Sequence, residues 1–120
     1  MDLNFIIERA PVIMKAMRLL YVTCKNPDEA RLIATDLVEG KLAACGNILA
    51  GMQSIYRWEG KLQNDHETVL ILKTSVNRAA ECQARIKAIH SYTTPCVLEI
   101  DVCGGNSDYL SWVVDQTLPP

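Results

Sequence analysis

Histidine is scarce in this sequence. Only His66 and His90 occur, and neither has an evident Ser or Asp partner, so nothing resembles a hydrolytic triad. Basic charge is not in excess either: 12 Lys and Arg stand against 14 Asp and Glu, and no basic stripe is present to attract nucleic acid. No apolar run reaches the roughly 20 residues that a membrane-spanning helix needs. A glycine-rich phosphate loop is missing, which counts against a nucleotide ligand. The five cysteines (Cys24, Cys45, Cys82, Cys96 and Cys103) form no CxxC pair, whereas a metallochaperone would carry one after its first strand, where Cys24 stands alone. The N-terminal MDLNFIIERAPVIMKAM lacks a basic leader and is broken by Asp2 and Glu8, so it is not expected to be a signal peptide. An odd cysteine count without an export signal fits free thiols in a reducing compartment, and a cytoplasmic location is the expectation.

What is present is a single domain's worth of regular pattern, 120 residues long. RLLYVT (18–23) is a continuous apolar run, the mark of a strand buried on both faces. Asn26-Pro27-Asp28-Glu29 then opens a helix, with Asn26 as cap, Pro27 in the first turn and Glu29 where a capping box places its acid. Ala30, Ile33, Ala34, Leu37 and Val38 form its apolar face, and Gly40 ends it. A second helix is expected from about Asn77 to Ile89, with Ala79, Cys82, Ile86 and Ile89 inward. Residues 97–103 alternate as a strand, and a last helix capped at Asn106 or Ser107 turns Tyr109, Leu110, Val113 and Val114 inward. Residues 1–17 read as an N-terminal extension and 18–120 as the domain.

Between the first two helices runs KLAACGNILAGMQSIYRWEGKL (41–62), one long strand that ends in an aromatic-acidic tip and turns at Gly60. Alternation puts Tyr56 and Trp58 on one face and Ile55, Arg57 and Glu59 on the other. ETVLILK (67–73) returns as the partner strand, with His66 solvated in the turn before it. Large aromatics so far out on a hairpin arm favour burial against another copy of the chain over scattered surface aromatics, although a platform for a small planar ligand fits them too. A cleft between copies would make Lys41, Tyr56, Trp58, Lys73 and Tyr92 its lining. The order β-α-β-β-α-β plus a C-terminal helix predicts an α+β, ferredoxin-like sandwich, with helices on one sheet face and the first strand between the third and fourth.

VTCKNPDEA, KLAACGNI, SIYRWEGKL, LILKT, HSYTTP and DYLSWV occur in that order between Arg18 and about Thr117. Together they make the chain resemble the CutA family, the divalent-cation-tolerance proteins. That resemblance implies a ferredoxin-like subunit in a homotrimer whose long hairpins form inter-subunit sheet, with Tyr56, Trp58 and Glu59 on the arm and Tyr109 and Trp112 near the chain end. It also implies tolerance of divalent cations, copper above all, with metal binding and no established enzymatic activity. A cysteine proposed as a ligand in the family is Cys24 here, whereas a glutamate proposed as a ligand corresponds to Cys96. Ile89 stands where some members carry an extra histidine, and His90-Ser91-Tyr92-Thr93 replaces the common HPYE.

Position alone also singles out Cys24. It follows a central strand and precedes a capped helix, where amide dipoles are expected to lower a thiol's pKa. The topology brings the start of the last strand, Cys96, and the end of the second helix, His90, to the same sheet edge. Cys24, His90 and Cys96 are therefore the expected metal ligands, a soft set suited to Cu(I) or Zn(II). The plainer alternative is that both cysteines are compact hydrophobes and His90 interacts with the helix end. Cys82 with Cys103, and Cys45 with Gly46, read as core fillers. No cofactor is obligatory on this reading. The expected function is a trimeric, non-catalytic metal-tolerance protein without nucleic-acid or membrane partners. The alternative is a trimeric regulator that senses a small ligand in inter-subunit clefts. An acylphosphatase-type enzyme would need an Arg-bearing anion loop after the first strand, where Cys24-Lys25-Asn26-Pro27 stands instead.

Overall fold

In the computed structural model, which describes residues 16–119, the chain runs β1 (Met17–Cys24), α1 (Pro27–Glu39), β2 (Cys45–Trp58), β3 (Lys61–Ser75), a 3-10 turn (Val76–Arg78), α2 (Ala79–Ile89), β4 (Val97–Asp101) and α3 (Ser107–Gln116). All pairings are antiparallel and the sheet order is β2-β3-β1-β4, so β1 lies between β3 and β4 as the crossover rule predicts. The expected α+β, ferredoxin-like order with its long hairpin and extra helix is what forms. Met17, placed in the extension by its sequence, is buried and is the first residue of β1. The rest of that extension, residues 1–15, lies outside the described residues.

Strand alternation divides the sheet into two unequal faces. Leu20, Val22 and Cys24 of β1 point to the same side as Leu70 and Leu72 of β3, and there they pack against Ala30, Ile33, Ala34 and Leu37 of α1 and Cys82 and Ile86 of α2. The opposite face carries Leu19, Tyr21 and Thr23. Contrary to the expectation of helices on one face only, α3 crosses to this second face, because Leu110 and Val113 have Met17, Ala44, Leu19 and Val102 to bury against. It covers one end. No helix covers the remainder, where Val69 and Thr23 are buried but Leu98 is 56% and Leu49 58% exposed.

Local chemistry explains the element ends. Asn26 Oδ1 accepts the Glu29 amide at 2.8 Å, and Asn106 accepts that of Asp108, so both predicted caps form. The second helix starts later than its pattern indicates, since the chain from Val76 to Arg78 takes the tighter 3-10 form first. The hairpin differs more. β3 begins at Lys61 and not Glu67, so His66 sits within the strand opposite Gln53, exposed, instead of in a turn. Backbone pairing with β2 carries the polar stretch Gln63–His66 in extended form without a hydrophobic face. Glu59 and Gly60 both take positive φ (51° and 77°), the two-residue turn whose twist suits a hairpin. A register shift between Leu49 and Met52 interrupts the ladder at Gly51, φ 83°.

Gly46 is the contact point of β2 with α1. A Cβ there would stand 2.9 Å from the Ala34 Cβ and 3.3 Å from a Leu72 methyl. Gly46→Ala is therefore expected to lose about 1–3 kcal/mol by overpacking, measured as a lower urea midpoint with unchanged m-value. An unaltered midpoint would mean that α1 moves away from the sheet at little cost.

Candidate functional site

Two arrangements bear on function, one on each sheet face. The first gathers at the Cys24 end of β1, on the face that α1 and α2 cover. Cys24 Sγ, a Glu29 carboxylate oxygen and a His90 ring nitrogen lie within 4.8 Å of one another. β1 delivers Cys24, the first turn of α1 delivers Glu29, and the residue capping the C-terminus of α2 is His90. Glu29 and His90 already have partners. Glu29 Oε1 accepts the Lys25 amide at 3.1 Å and Oε2 accepts the Ser91 amide at 3.0 Å. The Tyr92 amide donates to His90 Nδ1 at 3.0 Å, which leaves the proton on Nε2 to be donated to the Thr23 carbonyl at 2.9 Å. His90 Nε2 is 3.8 Å from Glu29 Oε1.

Cys24 corrects the expectation of an activated thiol. Burial, reinforced by the charges of Glu29 and Glu67, pushes its pKa up to about 12. The dipole of α1 does not offset the loss of water around a fully buried sulfur. Burial likewise acts to raise the Glu29 carboxyl, but the hydrogen bonds from Ser91 and Lys25 outweigh it and hold the pKa below its ordinary value.

Cys96 is not in this group. Val97 pairs with Val22, and the Thr23 amide bonds the Cys96 carbonyl at 3.4 Å, so Cys96 stands opposite Thr23 and shares its face, away from Cys24. A one-residue offset of register puts the two thiols on opposite sides of the sheet. The pattern of β1 and the start of β4 contained that parity. Glu29, by contrast, reads in the sequence only as a capping-box acid, and its reach to Ser91, 62 residues away, has no local signal.

The second arrangement is a cleft of about 700 Å³ on the bare face. Tyr21, Met52, Tyr56, Trp58 and Tyr92 line it, with Cys96 and Glu67 among the other lining residues. The Tyr92 hydroxyl donates to Glu67 at 2.9 Å and the Tyr56 hydroxyl to Asp65. Burial and the Glu67 carboxylate together push the Tyr92 phenol well above its ordinary pKa.

Of the residues expected around a cleft, Tyr56, Trp58 and Tyr92 line this one. Lys73 does not: it lies over the Tyr109 ring, 5.2 Å from the centroid, and Trp112 packs beside Tyr109 at 5.7 Å. That group forms the α3 end of the same face. Lys41 (φ 59°) and Glu59 are exposed turn residues outside the cleft. Tyr21, Met52 and Glu67 also line it, a grouping that depends on the register between β1, β3 and β2, including the shift between Leu49 and Met52, and so has no local sequence signal. Cys82 is buried as expected of a core filler, whereas Cys103 is exposed and Cys45 half-buried.

Comparison with known proteins matches residues 18–116 to the CutA1 divalent ion tolerance protein family. The chain is 39% identical over 99 residues to the divalent-cation tolerance protein CutA of Thermus thermophilus, covering 82% of this chain and 96% of that one. It is 38% identical to the chloroplastic protein CutA of Arabidopsis thaliana, of which it spans 54%. The crystal structure of divalent ion tolerance protein CutA1 from Ehrlichia chaffeensis superimposes with a TM-score of 0.84 at 38% identity, over 88% of this chain and 99% of that one.

The two buried groups lead to separate expectations. Because the folded Glu29 pKa is depressed, its contribution to stability is complete above the unfolded value of 4.5 and is lost as pH falls through the folded value. Glu29→Gln is expected to be about 1–2 kcal/mol less stable than the parent at pH 7, with the difference shrinking below pH 4.5. A pH-independent difference would show that the carboxylate's charge contributes nothing. At pH 8 a thiol of pKa about 12 is ionised in only about one molecule in ten thousand. Iodoacetamide followed by peptide mass mapping should accordingly modify the exposed Cys103 and leave native Cys24 unlabelled, and rapid labelling of Cys24 would contradict its burial.

Proposed function

The chain belongs to the CutA1 divalent ion tolerance family, and on that premise we propose that it acts as a cytoplasmic homotrimer that binds copper or another soft divalent ion and does not turn over a substrate. The observation that carries the metal reading is the Cys24–Glu29–His90 group. Sulfur, oxygen and nitrogen donors in one place suit copper or zinc better than magnesium or calcium. A thiolate and a carboxylate would together neutralise a divalent charge, with a neutral imidazole completing the set. The donors fit, but two must give up a bond they already have, Cys24 its proton and His90 a partner at one nitrogen, whereas each Glu29 oxygen keeps a free lone pair beside the amide it accepts.

Assembly is supported by the bare sheet face. Trp58, 51% exposed, Leu49, Leu98 and Ile100 are large apolar groups on one side of one sheet, more than an isolated subunit of this size usually leaves in water. The β2 edge is long and uncapped, and a second copy can extend it by strand pairing. All five cysteines are free, consistent with a reducing compartment. A second reading, a trimeric regulator that senses a small ligand, is favoured by one observation, the roomy aromatic cleft beside those same residues.

Native mass spectrometry of protein purified without added metal tests assembly directly. A trimer is expected, and a monomer would remove the interface argument. Copper or zinc titration tests the site: Cys24→Ser is expected to weaken binding at least tenfold, while Cys96→Ser, across the sheet, should leave it unchanged. Since the Cys24 proton must leave, affinity should rise about tenfold per pH unit between pH 7 and 8. Equal binding by the parent and Cys24→Ser would place the metal elsewhere.

A further inference from the structure

The end of the sheet farthest from the hairpin tip carries a groove that belongs neither to the bare face nor to the β2 edge. β3 runs from Lys61 at the tip to Ser75, which pairs with Met17, and the groove opens just beyond that pair. Its volume is about 170 Å³. Val76 and Arg78 of the 3-10 turn line it, together with Val114 of α3 and Leu118 and Pro119 beyond the end of that helix. Ala16 lines it as well. The Val76 amide donates to the Ala16 carbonyl at 2.6 Å, so the β1–β3 ladder continues one residue past Met17 and brings the preceding chain to the groove.

Two features of the groove are incomplete. Val76 and Leu118 are large apolar groups left in water. Arg78 is only 12% exposed, and its Nη1 donates to both oxygens of Glu81 at 3.0 Å, yet its buried Nε has no acceptor among the described residues. A buried donor of this kind is costly until an acceptor reaches it. An anion is not the partner this charge balance favours, because Glu81 already neutralises Arg78. A neutral acceptor joined to apolar groups answers both features, and main chain bearing apolar side chains is that combination.

Val12, Ile13, Met14 and Lys15 immediately precede Ala16. Four residues reach at most about 14 Å, so this run stays beside a groove that Ala16 itself lines. The tether gives it an effective concentration on the order of millimolar, which a separate partner would have to exceed. Being part of the same chain, it accompanies the groove in a monomer and in a trimer alike.

We infer that residues 12–15 dock in this groove of their own subunit, the Val12–Met14 run covering Val76 and Leu118 and a main-chain carbonyl accepting from Arg78 Nε. Docked there, the segment fastens the end of α3 to the end of β3. Neither the metal group nor the aromatic cleft takes part.

Hydrogen exchange of the full-length protein, read by mass spectrometry on peptides covering residues 12–15, tests the docking. Those amides should exchange at least about tenfold more slowly than in an unstructured peptide of the same sequence. Leu118→Ser removes an apolar wall at an exposed position and should abolish that protection while leaving α1 unchanged. Met14→Cys combined with Leu118→Cys, oxidised and mapped by peptide mass spectrometry, separates the possible occupants. A 14–118 bridge within one chain is expected, whereas the same bridge between chains would assign the segment to a neighbouring copy. Free exchange of residues 12–15 in the unmutated protein, protection that survives Leu118→Ser, or a bridge that forms only between chains or not at all would each overturn the docking. Should Leu118→Ser not fold, exchange in the unmutated protein still decides, since unprotected amides there are incompatible with a docked segment.

Discussion

A four-stranded sheet has two faces to cover, and this chain brings two helices to one and a single short helix to the other. Most of the functional surface follows from that shortage. On the first face, α1 and α2 build the core around Leu20, Val22, Leu70 and Leu72. On the second, α3 buries Met17, Leu19 and Ala44 at one end and leaves Leu49, Leu98 and Ile100 in water. Burial of apolar area is worth roughly 25 cal/mol per Å², so leaving such residues bare is a standing drive towards association. The hairpin lengthens the same surface, which extends the molecule to 60 Å along one axis against 27 and 22 Å along the others.

Strand parity then decides which residues can cooperate. Cys24 and Cys96 are near in the backbone yet belong to different faces, because Cys96 pairs with Thr23 and not with Cys24. The thiol that stays on the helix side is joined by Glu29 and His90. The other becomes part of the aromatic cleft. Exposure follows the same division: the first is fully buried and the second is not.

Much of this is legible in the sequence, and the failures have physical causes. The apolar run of β1, the Asn26-Pro27 start of α1 and the hairpin tip at Glu59-Gly60 are local signals, and each produces the expected element. So does the topology, since crossover handedness limits the possible strand orders. The stretch from Gln63 to His66 is not legible as strand because it lacks an apolar face. Its extended form depends on pairing with β2, which no window of β3 contains. Glu29 is legible as a helix cap but not as a tie to Ser91, a contact made only after α2 has packed. For Cys24 the sequence reveals the helix dipole, a local effect. The loss of water around its sulfur depends on the whole core, and that loss outweighs the dipole.

The segment from His90 to Cys96 joins the two faces. His90 packs beside Cys24 on one side, and two residues later Tyr92 lines the cleft on the other, its ring 4.7 Å from the imidazole. Both nitrogens of His90 are spoken for, one by the Thr23 carbonyl and one by the Tyr92 amide. Thr23 and Tyr92 are themselves cleft residues. A metal ion that takes either nitrogen must therefore break a bond to the cleft wall, and the wall moves or loses a restraint when it does.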